Sequence, residues 1–253
     1  MKRLMQAAVV SLALGMTTAQ ADFVGLFLGL DGWDMDSSGR FGSNGLEEQK
    51  FTLDNETKIS YFIALEHPVP LLPNIRVRGN DLDTSGQETI TARFEFNGII
   101  FDIDEDVTVD FAIQNTDFTL YYELFDNDLV SFDLGLTGKY LDGDITVTGD
   151  SAGSTVTERV SFSGVVPMAY GALQIGIPAT GFSLFGEFNG LSLDDNTILD
   201  YQAGVTYTFV DMLPMDLSIR AGYREISLEL DDLDGVSTDW SFDGPFAGIQ
   251  AHF

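Results

Sequence analysis

The stretch LDYQAGVTYTFV, residues 199–210, decides the fold class because its apolar and polar side chains alternate strictly. One face carries Leu199, Tyr201, Ala203, Val205, Tyr207 and Phe209. The positions between them hold Asp, Gln, Gly and Thr. Successive side chains of a β-strand point to opposite faces, so this pattern predicts a strand with one apolar and one polar face.

The same period of two recurs along the chain, at residues 59–66, 132–140 and 215–224. Four short connections separate such segments, at residues 68–73, 126–129, 178–181 and 211–214. Longer polar segments lie between the short ones, and we expect them to form long loops at the opposite end. The chain is therefore predicted to be all-β and built of consecutive hairpins.

The N-terminus has the layout of a secretory signal peptide: the basic start Lys2-Arg3, an apolar run over 5–16, and the small-x-small site Ala19-Gln20-Ala21. We expect residues 1–21 to be removed, which leaves residues 22–253 as a single domain. The apolar run is too short for a transmembrane helix, and no later segment supplies one. Cysteine is absent, so disulfides and thiolate metal sites are excluded.

The predicted mature chain is strongly acidic. Without Lys2 and Arg3 it keeps ten of the twelve basic residues against 40 acidic ones, a formal charge of about −30. This charge argues against nucleic acid as a partner. The 44% of hydrophobic residues nevertheless supply enough apolar surface for an ordered fold.

Alternation alone also fits a soluble periplasmic β-sandwich or a lipocalin-like barrel. Large apolar side chains, however, recur eight residues apart, as in Phe132 and Tyr140 or Tyr201 and Phe209. Eight tilted strand residues rise roughly 20 Å, close to the height of a membrane-embedded apolar band between aromatic girdles. Together with the alternation of short and long connections, this favours a transmembrane barrel.

The C-terminal segment alternates as well, with Ala247, Ile249, Ala251 and Phe253 on one face. Here the chain resembles small outer-membrane β-barrel proteins of Gram-negative bacteria, whose last strand commonly ends in an aromatic residue. The resemblance implies residence in the outer membrane among lipids and lipopolysaccharide. It also implies that the barrel-assembly machinery reads Phe253 as an assembly signal.

We predict an antiparallel up-and-down β-barrel of ten strands, with eight as the alternative and both termini at the periplasmic end. The predicted strands cover residues 23–33, 51–67, 74–96, 99–125, 130–147, 157–177, 182–193, 198–210, 215–230 and 239–253. The dipeptide Asn97-Gly98 favours a type I′ hairpin turn, in a hairpin that we expect to project beyond the membrane.

Acidic residues concentrate outside the predicted apolar band. They are Asp81, Asp83, Asp102, Asp104, Glu105, Asp106, Asp142, Asp144, Asp150, Asp194, Asp195, Asp231, Asp232 and Asp234. They favour a solvated acidic surface, and divalent cations that bridge to lipopolysaccharide phosphates are the alternative. The segment from Asp34 to Gly39 opens like a calcium loop but has Gly45 where the bidentate Glu belongs, so we interpret it as a turn.

The inward face of the predicted barrel collects charged residues of both signs. They are Lys58, Glu66, Arg76, Arg78, Glu123, Asp133, Lys139, Glu187, Asp200, Asp216, Arg220 and Arg224. Charges taken out of bulk water need partners, so these residues predict an internal ion-pair network. It is either a structural plug or the lining of a narrow pore for ions or small solutes.

No cofactor and no metal centre is expected, because phosphate-loop, HExxH and G-x-S-x-G motifs are absent. His67 and His252 are the only histidines, and both are predicted to lie at the periplasmic end. We therefore expect a non-enzymatic barrel with a structural or surface-interaction role. A narrow channel and an outer-membrane hydrolase remain as alternatives.

Overall fold

The structure is a computed structural model that describes residues 24–43, 49–91, 93–127, 129–151, 153–194, 196–212, 215–233 and 236–253. The predicted signal peptide lies outside this part of the chain. The described residues form the strands β1 (Gly25–Ser43), β2 (Gln49–Thr52), β3 (Glu56–Glu66), β4 (Asn74–Asp81), β5 (Thr84–Thr89), β6 (Phe94–Phe96), β7 (Ile99–Phe101), β8 (Asp106–Asp126), β9 (Val130–Ser151), β10 (Ser154–Gly176), β11 (Phe182–Leu193), β12 (Asn196–Met212), β13 (Met215–Leu233) and β14 (Val236–His252). They contain no helix with the length and apolar character needed to cross a membrane.

The strands close into an antiparallel barrel with ten positions in its wall. The order around the wall is β1, β3, β4, β8, β9, β10, β11, β12, β13 and β14, and β14 pairs with β1. Strand β5 extends the β4 position along β8, and β2 extends the β3 position along β1. The prediction of ten strands is confirmed. Strands β3, β8, β10 and β12 end, and β4, β9, β11 and β13 begin, at the end of the barrel that also holds Val24 and Phe253. This end is called the periplasmic end below, after the predicted orientation.

A belt of outward apolar side chains surrounds the half of the barrel near these turns. We call it the apolar belt; it includes Leu28, Leu30, Ile63, Leu65, Ile75, Phe118, Leu120, Leu134, Leu136, Leu173, Leu184, Val205, Tyr207, Ile219 and Ile249. The predicted girdle residues Phe132, Tyr140, Tyr201 and Phe209 are exposed on the same surface. An exposed apolar surface of this extent is the lipid-facing band of a membrane barrel.

Above the belt, the polar and apolar faces of the long strands β1, β8, β9 and β13 are exchanged, while inward and outward positions keep their alternation. Along β13, outward Ile219 and Tyr223 are followed by outward Glu225 and Glu229. Inward Arg220 and Arg224 are followed by inward Ile226 and Leu228, which are buried. The wall thus continues beyond the membrane as an outer barrel with an apolar interior and a polar exterior.

The expectation of long outer loops is wrong, because the polar segments are themselves strands. Strands β9 and β10 have 22 and 23 residues, and only residues 152–153 lie between them. Likewise, the segment from Asp34 to Gly39, interpreted above as a turn, lies inside the 19-residue strand β1. Its acidic side chains face water while Trp33 and Met35 point inward, so the alternation continues with inverted polarity.

The hairpin around Asn97-Gly98 forms as predicted, with positive φ angles of 49° and 81° that suit a type I′ turn. It lies beyond the apolar belt, as expected, but it does not stand away from the barrel. Strands β6 and β7 fold over the outer mouth and bury Phe96 and Phe101 completely. The Phe96 ring contacts Phe41 of β1 at 5.6 Å between centroids. We call β6 and β7 the cap hairpin.

Candidate functional site

The centre of the lumen is crossed by a buried layer of ion pairs, here called the central layer. The Lys139 Nζ atom lies 2.9 Å from Asp200 Oδ2 and 2.8 Å from Asp117 Oδ1. The Arg224 guanidinium donates from Nε and Nη2 to the two oxygens of Asp200, at 3.1 and 2.9 Å. This bidentate pairing compensates the carboxylate for the water it has lost.

Neutral polar side chains complete the central layer. Arg224 Nη1 donates to Asn80 Oδ1 at 3.2 Å, and Asn115 Nδ2 donates to the same oxygen at 3.0 Å. Lys139 Nζ also donates to Asn115 Oδ1 at 3.1 Å. The layer therefore joins β4, β8, β9, β12 and β13 across the barrel. Lys139, Asp200 and Arg224 are 0–2% exposed, so water reaches them from neither side.

A second cluster lies on the periplasmic side of the central layer. Glu187 accepts contacts from two arginines, Arg76 at 2.6 Å and Arg78. The Arg220 Nε atom lies 3.4 Å from Asp31 Oδ1, and its guanidinium stacks over Phe185 at 4.6 Å from the ring centroid. Stacking on aromatic faces provides a weakly hydrated guanidinium with a favourable buried environment.

Five of the predicted lumen residues stand apart from these ion pairs. Glu66 accepts a 2.8 Å hydrogen bond from Tyr121, and Glu123 accepts one from Asn74 at 3.1 Å. Asp216 lies 3.6 Å from His252 at the periplasmic rim. Lys58 forms no ion pair with a described residue, although it occupies an inward position opposite Trp33. Asp133 lines the cavity described next.

The periplasmic half of the lumen holds a polar cavity of about 300 Å³. Its lining includes Glu66, Arg76, Asp133, Tyr170 and Glu187. Such a volume with many polar partners is suited to hold water. The polar cavity lies below the central layer and gives the lower lumen the character of an aqueous vestibule.

Sequence reasoning missed two acidic members of the network, Asp31 and Asp117. Both lie at inward positions of their strands, 4% and 2% exposed. The alternation of Leu28 and Leu30 with Asp31 was a usable signal, because it places Asp31 opposite to the lipid-facing residues. The apolar outer lumen was missed as well, because a polar interior was extended to the whole barrel.

The remaining sequence expectations concern the ends of the barrel. His67 Nε2 lies 3.2 Å from the Pro73 carbonyl, and His252 stacks on Phe27, so both histidines are at the periplasmic end. Phe253 and Leu26 exchange backbone hydrogen bonds of 3.0 and 3.1 Å. Among the described residues no group of three or more acidic or histidine side chains is arranged to hold a metal ion. The side chains of Asp195, Asp231, Asp232 and Asp234 lie outside the described part.

Comparisons with known proteins rest on structure alone, since no family model and no curated protein matches the sequence. The outer membrane protease OmpT from Escherichia coli is similar with a TM-score of 0.52 and 12% identity, over 94% of this chain and 99% of that one. The attachment invasion locus protein Ail of Yersinia pestis, in complex with a heparin analogue, matches with a TM-score of 0.33 and 13% identity, over 90% and 99%. Neisserial surface protein A gives a TM-score of 0.31 and 12% identity, over 92% and 98%. The likeness to OmpT and the closed ten-position wall together show the fold of a bacterial outer-membrane β-barrel.

Proposed function

We propose that this outer-membrane β-barrel is a closed, non-catalytic surface protein. The membrane-spanning part anchors the chain, the central layer plugs it, and the outer barrel presents an acidic wall. The observation that carries the proposal is the burial of Lys139, Asp200 and Arg224 in one continuous set of contacts across the lumen. Export by cleavage after Ala21 and assembly through Phe253 belong to the same proposal.

The plug is energetically difficult to open. Removing one partner of a buried ion pair costs about 3–5 kcal/mol, because the other charge is left without compensation. The Asp200 carboxylate has two cationic partners, Lys139 and Arg224, and an ion passing the layer must displace at least one of them. This barrier supports a structural role for the predicted lumen residues.

The acidic wall of the outer barrel supports the surface-interaction part of the proposal. Its outward carboxylates include Asp34, Asp36, Asp110, Asp142, Asp144, Glu225, Glu229, Asp239 and Asp243. Directly above the apolar belt, such a wall faces the phosphate groups of lipopolysaccharide. Divalent cations that bridge the two negative surfaces stay a prediction.

Single-channel recording in a planar bilayer tests the closed lumen. We expect no conductance steps from folded protein, whose insertion is verified by heat-modifiable gel mobility, while an open porin in the same bilayer gives steps. Regular steps from the unmodified protein would overturn the proposal.

A narrow channel is the second candidate, and the polar cavity of about 300 Å³ favours it. This cavity would form the periplasmic half of such a path. If Arg224→Ala gives conductance steps and the unmodified protein does not, the central layer is the barrier that separates a closed from a conducting lumen.

The hydrolase alternative has less support. Likeness to a protease at 12% identity concerns the fold alone. The His252 Nδ1 atom lies 3.6 Å from Asp216 Oδ2, beyond hydrogen-bond distance, and at the periplasmic end. We therefore propose no catalytic residue.

A further inference from the structure

The wall of the outer barrel is interrupted on one side. Strand β10 pairs with β9 from Ser154 to Ile175, but it pairs with β11 only from Ala169 to Gly176. The hairpin of β11 and β12 ends at Leu193 and Asn196. Above it, the edge of β10 over residues 154–168 pairs with no described strand. We call this opening the lateral gap.

Pro167 lies in this unpaired edge. Proline cannot donate a backbone hydrogen bond and is confined in sheets to edges and bulges. The sequence is therefore compatible with an edge of β10 that stays unpaired at Pro167.

An apolar cavity of about 190 Å³ lies behind the lateral gap. Phe162, Gly164 and Val166 of β10 form its near side, and Ile198 and Leu228 line the opposite edge of the gap. Phe111, Ile113, Leu141, Ile145, Leu230, Trp240 and Phe242 form most of the deeper lining. The only polar side chains in the lining are those of Ser163 and Thr238.

The interior of the outer barrel, which contains this cavity, is covered at both axial ends by described residues. The cap hairpin covers it from outside: Asn97 Nδ2 donates to Glu158 Oε2 of β10 at 2.9 Å, and Ser151 Oγ donates to the Ile100 carbonyl at 2.8 Å. The central layer forms its floor. Within the described residues, the lateral gap is therefore the route of entry.

The lower corner of the gap reaches into the apolar belt. Outward Val165 is 65% exposed and lies four residues above Ala169, where pairing with β11 begins. Four tilted strand residues correspond to roughly 10 Å along the membrane normal. A hydrocarbon chain at the outer edge of the membrane can thus enter the gap without crossing the polar wall.

The side chains that line the cavity and the charge of the outer wall indicate the chemical class of the ligand. No charged side chain lines the cavity, and the outer wall is acidic, which disfavours an anionic molecule. Apolar cavities of about 150 Å³ stay dry and bind small hydrophobic molecules. We propose that the outer barrel binds one uncharged hydrocarbon chain in this cavity and takes it up through the lateral gap.

Tryptophan quenching by bromine tests the proposal. The chain has two tryptophans, of which Trp240 lines the cavity and Trp33 does not. In phosphatidylcholine vesicles, 1-bromooctane is expected to cause a saturable loss of the Trp240 emission, and Trp240→Phe is expected to remove the quenchable component. Phosphatidylcholine brominated along its acyl chains, in place of 1-bromooctane, tests whether the tail of a membrane lipid reaches the same site.

Gly164 provides a blocking variant, because a Cβ added there meets no atom within 4 Å. Gly164→Phe is expected to fill the cavity and abolish saturable quenching. Leu120→Phe places the same ring on the lipid-facing side of β8, two strands away from the gap, and should leave quenching unchanged.

Quenching by either brominated compound that Gly164→Phe abolishes supports the proposal and identifies the source of the chain. Absence of saturable quenching by both compounds in the unmodified protein overturns it, whether or not the variants fold. The entry route rests on the closed lumen of the proposed function, but conductance and quenching are separate measurements, so failure of one proposal is distinguishable from failure of the other.

Discussion

Arg224 and Arg40 each pair with an aspartate, but their surroundings differ. The Arg224–Asp200 pair is 2% and 1% exposed, whereas the Arg40–Asp239 pair is 57% and 46% exposed. We expect Arg224→Met to lower the free energy of unfolding by about 3–5 kcal/mol, because Asp200 keeps only Lys139 as a cationic partner. Urea unfolding in lipid vesicles, followed by heat-modifiable gel mobility, measures the change.

Arg40→Met is the matched control and should cost no more than about 1 kcal/mol, as exposed ion pairs do. Equal losses for both variants would contradict the assignment of Arg224 to a dry layer.

Asp144 lies on the outer wall, four residues above Tyr140 and outside the membrane-spanning part of β9. Hydrogen bonds from Arg159 and Ser161 lower the pKa of Asp144 to about 2. Because the folded pKa is below the unfolded one, the interaction stabilises the fold above about pH 4 and is lost as the pH falls through 2. Carbon-13 NMR titration of the carboxyl group should reveal this low pKa.

Arg159→Gln should raise the pKa of Asp144 towards its ordinary value of 3.8, since it removes the largest cause of the shift. A titration near 3.8 in the unmodified protein would show that the pair does not form in solution.

At the scale of elements, the free edge of β10 predicts an unusual hydrogen-exchange pattern. Amides of an antiparallel strand point alternately to its two neighbours. Over residues 154–168 we therefore expect every second amide to exchange fast, because it faces the lateral gap, while residues 169–176 are protected at all positions. Exchange measured by NMR, amide by amide, distinguishes the two segments.

Strand β9 is the control, because it pairs with β8 and β10 along nearly its whole length. Uniform protection over residues 154–168 would mean that the gap is closed in solution and would count against uptake through it.

The strands themselves were predictable, because the alternation of apolar and polar side chains is a local property of the sequence. Residues 199–210 and 215–224 lie on the faces expected from their alternation. The predicted strands over residues 157–177 and 182–193 already differed in length, and β11 ends at Leu193 as predicted. The lateral gap itself was not predicted, because strand bounds do not give the register that leaves residues 154–168 of β10 without a partner on one side.

At the scale of the whole molecule, the apolar belt predicts where a charge is tolerated. Leu120 and Gln114 both point outward on β8, Leu120 in the belt and Gln114 above it. We expect Leu120→Arg to cost about 2–4 kcal/mol, the range for an arginine facing lipid near the bilayer midplane. Unfolding in phosphatidylcholine vesicles measures this cost.

Gln114→Arg should be nearly neutral, because its cross-strand neighbours are Asp81 and Asp142. If the two variants are equally stable, the belt does not face lipid.

The candidate site was only partly within reach of the sequence. Inward positions identified Lys139, Asp200 and Arg224, but which cation meets which carboxylate depends on strand order and shear around the closed wall. The apolar cavity of the outer barrel was not predicted, because a polar inner face was assumed for the whole barrel. Above the belt, the inward positions hold apolar side chains instead.

The exchange of polarity along the long strands also fixes the depth at which the protein sits in its membrane. A shift outward by a few residues would remove lipid from Leu136 and Tyr140, and a shift inward would bury Asp142 and Asp144 in hydrocarbon. Both displacements cost free energy. The ring of positions where the faces exchange polarity therefore marks the outer boundary of the hydrocarbon. The position of the lateral gap relative to the lipid surface is thereby set by the chain itself.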